Sequence, residues 1–333
     1  MTFSRYLSAG VLGWALAFAV PAQAADGDAA AVQWVTLGTA GGPILHPEAA
    51  QISNALVVGN AIYLFDLGNG VLRQMALAKL PTQGVRAVFI SHHHSDHNAD
   101  LGQVMLAKWA RGRREPLPIF GPPGTVEMVN GLVAANRATV DASYPVVGPG
   151  NPPLATAFKT TDLPAEMNEP KLVYEDENVR VTSISVEHYL VPSSTPIAAG
   201  HEPHAVAFRV EARGRSYVYT GDSAPTPKLA RLAKGADVLV TEVVDPEAIQ
   251  EELLRVLRGD AAKFAQGSAE RMRKSHLEPS EIGKLAAEAG VKEVVLTHYV
   301  PIPPDDKAIA KLIGGITPFF KGTVKAARDL ARF

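Results

Sequence analysis

The chain has 333 residues, 47% hydrophobic and 20% charged, with a formal net charge of -2. This composition excludes a disordered or fibrous chain and gives no global attraction to polyanions. With no cysteine, neither a disulfide nor a thiolate metal site can form, so any metal must be held by imidazole and carboxylate.

Arg5 is the lone early charge, Leu7 to Val20 is an apolar run too short to span a bilayer, and Pro21-Ala-Gln-Ala24 closes it with a small-x-small pattern. These features predict a signal peptide, residues 1–24, cut after Ala24. The expectation is an exported protein, periplasmic or secreted, with no membrane partner after cleavage and with residues 25–333 forming one catalytic domain. Val32 to Leu37 reads as the first mature strand. Asn54 to Val58 and Ala61 to Asp66 read as a hairpin turning at Gly59-Asn60. Asp66 ends its strand before glycines, so it is either a turn former or a carboxylate that orients a ligand histidine. Val71 to Leu80 is helical in pattern.

The buried strand Arg86 to Ser91 then runs straight into His92-His-His-Ser-Asp-His97. His92 and His94, two apart, share a side while the chain is extended. Once it turns, Asp96 and His97 can face a second point, so one short loop can grip two cations. Lys108, Arg111, Arg113 and Arg114 form the only dense basic run and read as a helix end and solvated turn, not a nucleic-acid patch. Leu117 to Phe120 is a strand. Residues 143–170 are proline-rich without periodicity and read as a long surface loop.

Val179 to Val186 alternates as a strand and delivers His188, followed by a polar loop with His201 and His204. A second hairpin, Ala205 to Val210 and Ser216 to Thr220, ends in Gly221-Asp-Ser223. Pro227 to Lys234 is helical and Val238 to Val243 is a buried strand. Pro246 to Arg273 is helix-rich and charged. It is expected to form a lid or pocket wall, or a homodimer face with Ile249, Leu253, Leu254 and Leu257 as its stripe. A helix from Pro279 to Gly290 precedes the strand Val291 to Thr297, which presents His298. Strands and helices alternate through both halves. A mixed sheet in each half with helices outside predicts an α/β fold of two sheets packed face to face.

His188, Asp222 and His298, at strand ends, complete a two-metal set with the loop cluster. One cation would take His92, His94 and His188, the other Asp96, His97 and His298, and Asp222 would bridge them. Such cations lie about 3.5–4 Å apart and activate a shared water as hydroxide.

Thr36-Leu-Gly-Thr-Ala-Gly-Gly42, Leu64-Phe-Asp-Leu-Gly68, Ser91 to His97, Gly221-Asp-Ser223 and Thr297-His298 together resemble the metallo-β-lactamase superfamily of hydrolases. Ser275-His-Leu-Glu-Pro-Ser280, followed by a helix and Val294-Val-Leu-Thr-His298, is similar to the ribonuclease Z and arylsulfatase-like branch. The resemblance implies an αββα four-layer sandwich and two divalent ions, usually zinc. It also implies that Asp96 and His276 take part in the chemistry, His276 by contacting phosphate or sulfate-like oxygens. His188 is the expected third ligand of the first metal because a strand end fixes it, with His204 as the alternative. His46, His93 and His201 are expected not to be ligands.

Fold alone does not select a substrate. Export argues against tRNA processing, and the lack of a basic surface agrees, because polyanion binding draws on many Lys and Arg contacts. The expectation is therefore an exported dinuclear-metal hydrolase of a small anionic ester, arylsulfatase- or phosphodiesterase-like, with no nucleic-acid partner. A β-lactamase or lactonase is the alternative within the hydrolases, with Asp222 counting against the β-lactamase. A non-catalytic metal-binding relative is the alternative from another class.

Overall fold

The computed structural model describes residues 32–111, 115–142, 151–191, 194–198, 200–256 and 261–333. The predicted signal peptide, Arg113, Arg114, Leu257 and residues 143–150 lie outside them. Among the described residues no helix is long and apolar enough to cross a membrane.

In the first half β1 (Val32–Gly38), β2 (Ser53–Val58) and β3 (Ala61–Leu67) form an antiparallel meander. Beyond β3, the strands β4 (Val85–Phe89), β5 (Leu117–Gly121) and β6 (Phe158–Asp162) add in parallel. Every residue of β3 is buried. Its odd positions, Tyr63 and Phe65, face the second sheet, while Ile62 and Leu64 face helices. A strand covered on both sides reads as a continuous apolar run, as this one does. The helices on that outer side are α1 (Val71–Leu77), α3 (Leu101–Trp109) and α4 (Thr125–Ala135), with short α2 (Ser95–Asn98) and α5 (Arg137–Asp141).

The second sheet holds β7 (Lys171–Glu175), β8 (Arg180–Val186), β9 (Ala205–Ala212) and β10 (Arg215–Tyr219), paired antiparallel up to β10. The strands β11 (Val238–Val244), β12 (Glu293–Val300) and β13 (Thr323–Ala326) follow in parallel. Its outer face is covered by α6 (Pro227–Ala233), α9 (Pro279–Ala289) and α10 (Asp306–Ile316). Two further helices, α7 (Pro246–Val256) and α8 (Ala261–Ser275), pack on each other. The chain ends in β14 (Ala331–Arg332), which returns to pair with β1 in the first sheet. Between the sheets lies an aromatic layer: Phe65 stacks on Phe89 at 4.9 Å between centroids, and Trp34 lies 5.8 Å from Tyr217. The four layers are the expected αββα sandwich.

Three features differ from the sequence reading. Strand β6 lies inside the stretch expected to be loop, because Phe158-Lys-Thr-Thr-Asp162 is a half-exposed edge strand with little alternation to show. The elements after His298 add a strand to each sheet. Lys108 is not solvated: it is 3% exposed, and its ammonium donates to the carbonyls of Thr82, Gln83 and Val85 at 2.6–3.1 Å.

Candidate metal centre

The candidate residues gather at the carboxyl ends of β3, β4, β8, β10, β11 and β12, where backbone pairing stops and side chains face one another. Two of them are aimed by irregular backbone. The β2–β3 register slips between Phe65 and Leu67, at Asp66, and the β11–β12 register slips between Leu296 and Tyr299, at Thr297 and His298. Asp66 has φ 56° and His298 φ 42°, conformations that non-glycine residues rarely adopt. A bulge of this kind turns a side chain out of the strand's alternation. Glycines give the room: a Cβ on Gly41 would meet the His298 ring at 2.6 Å, and one on Gly221 would meet Ser91 Cβ at 2.6 Å.

Two groups of donor atoms hold the expected ligands, and a third, Asp222, Glu242 and His276, adjoins them. His92, His94, His188 and Asp222 each offer one atom within 4.8 Å of the others, as do Asp96, His97 and His298. His92 Nε2 and His188 Nε2 lie 3.0 and 3.1 Å from His94 Nδ1. His97 Nε2 and His298 Nε2 are 3.1 Å apart. Asp222 Oδ2 stands between the groups, 3.8 Å from His92, 3.9 Å from His188, 3.4 Å from His97 and 3.3 Å from His298. Asp96 Oδ2 is 3.3 Å from His298 Nε2 and accepts from Gly42 N at 2.7 Å. His204 joins neither group, so the strand-end histidine is the one brought to the site.

Asp66 explains why the lone pairs converge. Its Oδ2 accepts from His97 Nδ1 (2.7 Å), Ser91 Oγ (2.6 Å) and Tyr219 OH (2.7 Å), and its Oδ1 from Ser91 N (2.7 Å). With the Ser91 proton given to Asp66, Ser91 Oγ accepts from His92 Nδ1 at 3.0 Å. His188 Nδ1 donates to the Ser275 carbonyl at 2.9 Å. Each of these rings therefore spends Nδ1 on the protein and turns Nε2 inward, the nitrogen that a metal ligand must present. Asp66 thus bonds a ring of the donor set directly, the contact that its orienting reading requires.

Electrostatics agree with unprotonated inward nitrogens for His92 and His188, whereas without a cation the carboxylates around His97 hold a proton on it. Burial, followed by the charge of His97, pushes His92 well below the usual imidazole range. Burial brings His188 down to about 4. Burial alone would lower His97 too, but Asp222, Asp66 and Asp96 outweigh it and hold it well above. Burial would raise Asp222, but His298 and His97, with a bond from His276, hold it well below the carboxylate range. His94 Nδ1 carries at most one proton for two facing nitrogens, His92 Nε2 at 3.0 Å and His188 Nε2 at 3.1 Å, so at least one lone pair there is left without a donor. Among the described residues the buried Asp222 Oδ1 has no hydrogen-bond partner. A cation at each group supplies what these atoms lack, so the donor set fits two divalent ions.

Two residues escaped the sequence reading. Glu242 sits in the wholly buried, mostly apolar strand β11. Burial and the charge of Asp222 push its carboxyl well above the usual range. The signal was a carboxylate inside a run of valines. Its Oε2 lies 3.9 Å from His276 Nε2, which is 3.6 Å from Asp222 Oδ2. Tyr189 packs its ring against His92, His94 and His188 at 5.0–5.8 Å, and its hydroxyl accepts from His93 N at 3.0 Å. Nothing in the sequence marked it out. A cavity of about 250 Å³ opens over Asp96, His298 and His276, with Pro43, Met272 and Val300 as its apolar wall. Met272 comes from α8, so the charged helical stretch does supply a pocket wall. Of the sequence-expected non-ligands, His93 meets Thr125 Oγ1 at 3.3 Å, His201 is exposed near Glu127 and His46 lines a separate cavity.

Comparison with known proteins gives the relationships. The β-lactamase superfamily domain matches residues 62–299. The ribonuclease Z of Mycolicibacterium paratuberculosis is 32% identical over 273 residues, covering 80% of this chain and 86% of that one. The ribonuclease Z of Mycobacterium bovis is 30% identical over 304 residues, covering 90% and 96%. Among solved structures, human tRNase Z, short form, superposes with TM-score 0.60 at 19% identity over 90% of this chain and 98% of that one. The metallo-β-lactamase fold protein YhfI of Bacillus subtilis gives 0.61 at 21% identity over 91% and 98%.

These relatives overturn two expectations. A hydrolase of a small sulfate ester or small phosphodiester is not what they indicate, because the curated relatives are named as ribonucleases. For the same reason the expected absence of a nucleic-acid partner falls. The physical error lay in reading a net charge of -2 as a statement about every part of the surface. A sum over 333 residues says nothing about a local cationic face, and the export argument rested on a segment outside the described residues. With the sandwich, the two donor groups and relatives at this identity, the chain belongs to the metallo-β-lactamase superfamily of metal-dependent hydrolases, on the side of ribonuclease Z.

Proposed function

We propose that this protein is a metal-dependent phosphodiesterase that cleaves RNA, as the name ribonuclease Z says of its relatives. The observation that carries the reading is His276, whose Nε2 faces the cavity 3.6 Å from Asp222 Oδ2, with the Glu242 carboxyl 3.9 Å away. In this reading His92, His94 and His188 would hold one cation and Asp96, His97 and His298 the other, with Asp222 available between them. Zinc suits a nitrogen and oxygen donor set without thiolates. Two cations bound there would supply Lewis acidity toward a phosphate and a nucleophile at neutral pH.

The chain's own residues do the rest. Asp66 orients His97 directly and His92 through Ser91. Gly42 N fixes Asp96. The apolar wall of Pro43, Met272 and Val300 excludes water from one side of the cavity. His276 Nε2 is placed to hold a proton for the leaving oxygen, and the Glu242 carboxyl, pushed well above its usual range by burial and Asp222, lies 3.9 Å behind it.

Metal analysis with turnover of bis(p-nitrophenyl) phosphate and of a tRNA transcript carrying a 3′ extension tests this. His276→Ala should keep both metals and lose about 10²–10⁴-fold in kcat. A protein with two bound ions that cleaves neither substrate would refute the reading.

A further inference from the structure

The hairpin of α7 and α8 is polarised. Helix α8 carries Lys263, Arg271, Arg273 and Lys274 against Glu270 alone, whereas α7 carries Glu247, Glu251 and Glu252 against Arg255. Ala265, Ala269 and Met272 form the inner row of α8. At 100° per residue, Lys263, Phe264, Arg271 and Lys274 then fall on the outer side, and all four are exposed. Among the described residues Lys263 and Lys274 have no ion pair. Arg271 donates to Ser268 Oγ at 2.9 Å and lies over the Phe264 ring at 6.0 Å. Phe264 is 56% exposed.

This face is fixed to the site. The C-terminal end of α8 lines the cavity with Met272, accepts from His188 at the Ser275 carbonyl, and runs into His276. Arg273 pairs with Glu247 and ties α8 to α7. Past Val300 the surface changes sign: a cavity of about 580 Å³ carries Glu48, Glu252, Asp305 and Asp329, and its one arginine, Arg328, is paired with Asp306 at 2.9 Å. A polyanion leaving the site is repelled on that flank and attracted along α8.

We propose that the outer face of α8 is a docking rail for a single-stranded segment of the RNA substrate. Lys263, Arg271 and Lys274 neutralise phosphates over about 16 Å of helix, and Phe264, backed by Arg271, stacks a base. This deepens the RNA-cleaving reading and rests on it for the identity of the strand.

The test uses the full, metal-loaded chain and a short fluorescent oligouridylate with phosphorothioate linkages, which reports binding without turnover. Changing Lys263→Gln, Arg271→Gln and Lys274→Gln together should weaken binding at least about tenfold. It should also flatten the slope of log affinity against log salt by about 2, from three contacts at about 0.7 each. Phe264→Ala should weaken binding by about tenfold and leave the slope alone. Turnover of bis(p-nitrophenyl) phosphate, too small to reach the rail, should match the unaltered chain in all these variants. Unchanged affinity and slope in the triple variant would overturn the proposal, as would an unaltered chain that fails to bind the oligonucleotide at low salt. If binding behaves as expected and RNA is nonetheless not cleaved, the rail stands and the catalytic reading falls.

Discussion

Asp66→Asn tests the orientation argument most directly, because it keeps the shape of the side chain and removes only its charge and one acceptor. The carboxylate is wholly buried and accepts four hydrogen bonds at 2.6–2.7 Å, three of them on Oδ2. An amide has one oxygen and one NH2. With its oxygen in the Oδ2 place, the NH2 meets the Ser91 N–H. Turned over, it meets three donors. The better orientation leaves two buried donors facing each other and three bonds to a neutral acceptor. At about 1–3 kcal/mol for an orphaned donor, plus the lost charge assistance, the cost is about 3–5 kcal/mol. His97 and His92 also lose the partner that sets their tautomer, so metal affinity should fall by about 10–100-fold. Urea unfolding in chelator reads the first effect and competition with a chromophoric chelator the second. A variant within about 1 kcal/mol of the parent that holds its metals equally tightly would show that Asp66 does not organise the centre.

Further outcomes follow from other parts of the molecule. Lys108→Met leaves the carbonyls of Thr82, Gln83 and Val85 without the buried ammonium that joins them. It should lower unfolding free energy by about 2–4 kcal/mol in urea titration, without changing metal content. Gly221→Ala places a Cβ 2.6 Å from Ser91 Cβ at φ +57°. It should displace Asp222, so that metal analysis finds fewer ions per chain, even where circular dichroism shows the fold intact. Asp176 accepts from the Tyr63 and Tyr174 hydroxyls and from the Asn178 and Val179 amides at 2.7–3.0 Å. Burial alone would raise this carboxyl, but the bonds from Tyr63, Asn178, Tyr174 and Val179 outweigh it and lower it. A carboxyl lowered on folding supplies stability that is complete above its ordinary value of 3.8 and disappears as pH falls through the lowered one. The stability gap between the parent and Asp176→Asn should therefore be constant from neutral pH down to about 4 and close below it. A gap that persists in acid would assign those bonds to the neutral carboxyl.

The amino-acid sequence alone determined what depends on near neighbours in the chain. Alternation of period 2, the glycine turns and the His92 to His97 spacing are local, so the strands, both hairpins and the core of the donor set could be read directly. The alternation of strands and helices through both halves pointed to two sheets packed face to face with helices outside, and the resemblance to the metallo-β-lactamase superfamily implied the four layers. Tertiary structure decided what depends on distance. The choice of His188 over His204 came from which one the end of β8 carries to His94. The standing of Asp66 came from a bulge that points it at Ser91, His97 and Tyr219, residues up to 153 positions away. Glu242 could be seen in the sequence only as an oddity in β11, and its nearness to His276 and Asp222 gave it meaning. Charge followed the same division: the total is additive and could be counted, but which side of the catalytic opening is cationic depends on how α7 and α8 lie against the site, and folding alone sets that.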